Sequence, residues 1–248
     1  MKRISSFFRF IGLTLLLITT SVFSDDREIK SSDGDEKLSS SSMTNYAMKL
    51  ALIEGHLWVA NELVNEGHLV LGSKHSKHPA QEVYKDLKPL FESINSRGFA
   101  AELERMAMSL ENKNTDAFQI SYLAVVSAIN SIYPEMSLTV SQELEVALGL
   151  LQQALIEYEV GVNNEGAVVD LQEYQDARGF AHIAEERIRR ISFDDQSKIT
   201  KGQLSELHGL FSMAYELWPS LIGSVSIEIE SEPLSKVVDY IRELQKAY

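Results

Sequence analysis

His56, Glu173 and Asp176 fall on the apolar faces of helical segments, where ionisable side chains are rare. An unpaired charge taken into a core costs more than a domain's net stability supplies. Such residues therefore require an opposite charge, a shared proton or a metal ion beside them. At about 100° of rotation per residue, His56 shares a stripe with Leu52, Val59, Ala60 and Leu63, together with Asn45 and Lys49, while Glu54 and Glu62 lie off it. In the segment after Asp170, Glu173 sits among Ala177, Phe180, Ala184, Ile188 and Ile191, and Asp176 lies between the directions of Ile183 and Phe180. Carboxylates three residues apart repel unless something cationic stands between them. Two chemistries satisfy them: an ion pair with Lys49 or Arg187, or a divalent or ferric ion held by carboxylate oxygen and imidazole nitrogen.

His75, His78 and Glu82 form a second cluster. His78 and Glu82 are four apart at an expected helix start, off the stripe of Val83, Leu87, Leu90 and Ile94, which places them at the rim. They read either as a solvated face or as a loop above the core that completes a coordination shell. His182 faces away from Glu173, beside Arg178, Glu185 and Arg189, and reads as a surface residue; His208 reads as structural, and His68 lies on a turn. The chain contains no glycine-rich phosphate loop, nucleophile elbow, His-Glu-x-x-His motif or haem-attachment motif. Its basic residues are dispersed, so no nucleic-acid patch is expected.

The elements that must position these side chains are helical nearly throughout. The spacing predicts helices over 45–66, 79–95 with a break at Pro89, 99–110, from Asn114 or Thr115 to Pro134, 137–162, 170–191, 200–218 and 233–246. A loop is expected from Gly67 through His75, and the alternation over 224–230 suits a short strand or an extended tail. The fold class is all-α, an up-and-down helical bundle. Ala51-Leu52-Ile53-Glu54 recurs as Ala154-Leu155-Ile156-Glu157, which suggests two similar halves, 44–134 and 137–219, followed by the C-terminal helix 233–247.

The ends and composition set the compartment. Lys2, Arg3 and Arg9 precede or flank a short apolar run, and Val22-Phe23-Ser24 fits a cleavage site, so residues 1–24 read as an export signal. Residues 25–43 are rich in Ser, Asp, Glu and Lys and read as a disordered linker ahead of a bundle domain over 44–248. No later segment has the length and apolarity to span a bilayer. The absence of cysteine excludes disulfides, thiolate metal sites and cysteine nucleophiles. The formal charge of −13 becomes −16 once the three signal cations are removed, which disfavours nucleic acid and anionic membranes and suits cations.

The segments Glu54-Gly55-His56-Leu57 to Val64, His75 to Tyr84, and Glu157-Tyr158-Glu159 through Gly166-Ala167-Val168-Val169 to Ala177 resemble the exported helical domains found with bacterial iron permeases, and more distantly imelysin-like periplasmic proteins. The resemblance implies an all-helical fold of paired bundles and a periplasmic metal-handling role, with His56, His78, Glu82, Glu173 and Asp176 as the residues it nominates. The Arg-Glu-x-x-Glu signature and the membrane helices of the permease itself are missing. His78 is followed by a glutamate at the fourth position, where the imelysin-like Gly-x-His-x-x-Glu signature has one at the third. The expectation is a non-enzymatic periplasmic protein that binds iron for acquisition, delivery or sensing, with an inner-membrane iron permease or another envelope protein as partner. The alternative is a metal-free helical module that docks such a partner.

Overall fold

In the computed structural model, residues 38–191, 197–223 and 230–248 are described. The expected export signal, most of the expected linker and the alternating segment 224–229 lie outside them. Among the described residues there are nine α-helices: α1 (Ser40–Asn65), α2 (Leu69–Glu82), α3 (Lys88–Ser93), α4 (Ala100–Glu111), α5 (Thr115–Met136), α6 (Val140–Gly161), α7 (Leu171–Ile191), α8 (Lys201–Tyr215) and α9 (Glu232–Gln245). No strand occurs among these residues, only an isolated antiparallel bridge between Val162 and Val168. The protein is an all-α helical bundle.

Helix α1 is the hub. It packs on α2, α5, α6 and α7, so residues 50–57 are buried without interruption. A helix covered all round cannot show a single apolar stripe, and this is why Glu54, expected off the core face, is buried. Helices α4 and α5 pack against each other and α4 against α2; in the second half α6 pairs with α7 and α9, and α8 with α9. The helix starts follow local capping rules. Thr139 and Gln142, and Thr200 and Gln203, form reciprocal capping boxes at α6 and α8. Ser39 caps α1, so residues 40–43, placed by composition in the linker, belong to the helix, which starts before the expected Thr44 cap.

The largest departure from expectation lies after α1. Gly67 adopts φ 85°, and the N–H groups of Gly67 and His68 close back on the carbonyls of Val64 and Leu63, a left-handed helix end that glycine accepts at little cost. The chain reverses at once into α2, and the stretch expected to be a loop is helical. Pro79 sits inside α2 rather than opening a helix. His56 and His78 each stand 11 residues from Gly67 in opposite directions. At 1.5 Å per residue both lie roughly 15 Å along their helices from the turn, so the hairpin brings them level.

Candidate metal centre

Helix α7 supplies the anionic half of the site. Asp170 Oδ1 accepts from the backbone N–H of Gln172 at 3.1 Å and of Glu173 at 3.4 Å, which fixes the first turn of the helix. Gln172, Gln175, Asp176 and Gly179 then follow at three- and four-residue spacing on the face turned toward the α1–α2 hairpin. The approach of α1 to α7 is set by two glycines. A Cβ on Gly179 would stand 2.5 Å from Gly55 O, and one on Gly55 would stand 2.5 Å from Phe180 Cδ1. Only bare backbone permits this crossing, and it places His56 beside Asp176.

The polar contacts are dense. His56 Nδ1 lies 2.6 Å and His75 Nδ1 2.9 Å from the same oxygen, Asp176 Oδ1. His78 Nδ1 lies 3.8 Å from the other oxygen, Oδ2. Gln172 Nε2 meets His78 Nε2 at 2.7 Å. Gln175 Oε1 meets His75 Nε2 at 2.7 Å, while Gln175 Nε2 donates to Leu221 O at 2.7 Å and so fixes the amide's orientation. Both nitrogens of His75 thus lie within hydrogen-bond distance of side-chain oxygens. The His56 ring packs edge-on against those of His78 and Phe180, at 5.3 and 5.1 Å between centroids.

His56, His78 and Asp176 each offer one ligand atom, and these atoms lie within 4.8 Å of one another. Ligands at about 2.0–2.2 Å from a metal sit closer together than that, so a small contraction of the α2 side chains would close a shell. Burial by itself would raise the Asp176 carboxyl; the charges of His56 and His75, and the hydrogen bonds they give, outweigh it and hold Asp176 well below the usual carboxylate range. The group is therefore an ionised oxygen ligand at neutral pH, and nitrogen plus carboxylate donors fit iron, zinc or manganese chemically.

The other sequence candidates fall elsewhere. His75, expected in a loop above the core, is fully buried, and its engaged nitrogens make it a brace for Asp176 and Gln175. Glu173 faces Glu157 of α6 rather than the imidazoles, and burial, then the bond and charge of Glu157, push it up to about 9. Glu82 lies at the end of α2, with its side chain outside the described residues. The expected ion pairs with Lys49 or Arg187 do not form: Lys49 bonds Asp86 at 3.0 Å, and Arg187 reaches Glu143 at 2.6 Å with its guanidinium over the Tyr133 ring. Tyr133 O–H in turn donates to Glu54 at 2.5 Å, which compensates that buried carboxyl. His182 is not a solvated surface residue. It stacks on Trp58 at 4.3 Å, and burial followed by the charge of Arg178 lowers it to about 4. His208, expected to be structural, is exposed.

Sequence reasoning missed Gln172, Gln175 and Glu157. The glutamines were legible only as helical neighbours of Asp176. Glu157 had a signal, because the repeated Ala-Leu-Ile-Glu places it where Glu54 stands in α1, and both glutamates are buried.

No helix among the described residues is long and apolar enough to cross a membrane. No match was found among curated proteins or solved structures. Residues 134–248, which hold α6 to α9, match the family described as the iron permease-associated 4-helix bundle domain, so the resemblance drawn from the sequence holds over that part of the chain.

Proposed function

We propose that this protein binds an iron ion in the periplasm through His56, His78 and Asp176, and hands it to, or senses it for, an inner-membrane iron permease or a neighbouring envelope protein. The ion is cargo and the protein is not an enzyme in this reading. The observation that carries it is the convergence of two imidazoles and one ionised carboxylate from α1, α2 and α7 within 4.8 Å. The family match over 134–248 supports the iron context, and the acidic charge of the chain favours approach of cations. His75, Gln172 and Gln175 orient the ligands, as residues behind a metal site commonly do. The export signal over 1–24 and the metal's identity are parts of the same proposal.

Metal content of the protein recovered from its native envelope, read by elemental analysis, tests it. One iron per chain in the wild type, lost in His56→Ala and in His78→Ala with helicity retained, is the expected result. A metal-free wild type whose melting temperature iron, zinc and manganese leave unmoved would overturn it. One observation favours the second reading, a metal-free docking module: Asp176 Oδ1 already has two histidine rings within hydrogen-bond distance without an ion.

A further inference from the structure

We propose that Glu157 and Glu173 form a second cation site, made of oxygen alone, which takes a hard divalent or trivalent ion. It goes beyond the histidine site and does not depend on it. Glu157, on the face of α6 turned to α7, is 5 % exposed. Its Oε1 accepts from Gln153 Nε2 at 2.5 Å, while its Oε2 is buried and takes no hydrogen bond from an amide, a hydroxyl or a cationic side chain. The group bonded to Glu157 across the helix interface is another carboxyl, that of Glu173. After burial, the largest influences on Glu173 are Glu157, Asp176 and Asp170, and among the described residues neither acid makes an ion pair with a lysine or arginine.

A buried acid beside a second acid, with no basic partner, is costly unless something positive stands between them. A proton does so in the metal-free chain. Two facing carboxyl groups also suit a hard ion, which binds through one or two carboxylates and keeps water in its remaining positions. Glu173 is only half-buried, so one side of the pair is open to that water. Without imidazole or thiolate, the pair selects calcium-, manganese- or lanthanide-like ions over copper or zinc. The close approach of the helices that carry the two acids is fixed independently, because a Cβ on Gly161 would stand 2.6 Å from Tyr174 N.

Terbium(III) is a suitable probe. Tyr158 and Tyr174 adjoin the two acids in sequence, and the Trp218 ring lies 5.3 and 6.4 Å from theirs, so an ion at the pair is sensitised by ultraviolet excitation. Titration of the full chain should give saturable emission at one terbium per chain. Glu157→Gln and Glu173→Gln should each weaken it at least tenfold, and His56→Ala should leave it within twofold. Calcium or manganese should compete. Emission that does not saturate, or that neither glutamine variant changes, overturns the proposal. Both variants remove a repulsion, so metal-free they should melt at or above the wild type; a lower melting temperature in both would show the acids to be engaged as fold partners and would also overturn it. Loss of iron binding in His56→Ala with terbium emission intact separates this site from the one proposed above.

Discussion

His56 Nδ1 lies 2.6 Å from Asp176 Oδ1, and this contact ties α1 to α7 across 120 residues of sequence inside the core. Removing one partner of a buried, hydrogen-bonded charge pair typically costs about 3–5 kcal/mol, because the other is left uncompensated. Asp176→Asn should therefore destabilise the metal-free protein by about that amount at neutral pH, measured by urea denaturation. A wild-type midpoint in this variant would mean that the contact carries no net stability.

The same carboxylate sets the acid limb of stability. Asp176 is held well below its ordinary range, so the unfolded chain takes up its proton first as pH falls. Its contribution is present above the unfolded value of about 3.9 and is lost below it. The gap between wild type and Asp176→Asn should be wide at pH 5 and should narrow as the pH drops beneath that value. A gap independent of pH would contradict the assignment.

Glu173 has the opposite sign. It is raised to about 9, so the folded protein holds the proton more tightly than the unfolded chain. The associated stability is complete below the unfolded value of about 4.3 and drains away as pH climbs through about 9. Glu173→Gln should remove that slope and melt a few degrees above the wild type at pH 8, with little difference at pH 5. Parallel melting curves across this range would show that the carboxyl is not shared.

Gly179→Ala tests the helix crossing. The added methyl would stand 2.5 Å from Gly55 O and 2.7 Å from Val59 Cγ2, of which the first is backbone and cannot swing aside. Overpacking of this kind costs about 1–3 kcal/mol, and each kcal/mol lowers the melting temperature by about 2–4 °C in a chain of this size. Because the methyl pushes α1 from α7, metal affinity should fall with stability, although no ligand has been altered. Unchanged affinity would show that the crossing does not set the site.

Trp58 gives an optical reading of His182. The rings stack at 4.3 Å, and the imidazole is lowered to about 4. A protonated imidazole quenches a stacked indole, so Trp58 emission in a Trp218→Phe background should drop with a midpoint near pH 4 rather than the free-histidine value of about 6.5. A midpoint at the free value would place His182 in solvent.

Amphipathic spacing disclosed the helices from α4 to α6 because each buries one face and exposes another. It failed at α2, where Leu69, Val70 and Leu71 are followed by polar residues and a proline, and tertiary contact with α1 overrides weak local preference. That single failure moved His75 from an expected loop to a fully buried position. It failed again wherever a helix is covered on more than one side, as at Glu54 and His182. Asp176 and His56 were readable because each departs in polarity from a face that is otherwise apolar. Their meeting was not readable, since it depends on how α1 and α7 cross, which rotation angles along a single helix do not encode.

The imidazoles of the proposed iron site come from α1 and α2, before Pro134, whereas Asp176 and its flanking glutamines come from the segment that matches the permease-associated family. Neither portion of the polypeptide owns a complete ligand set. A bisected chain should stay inert until its pieces reunite, so at the proposed site metal uptake would double as a report that the two ends of the chain have come together.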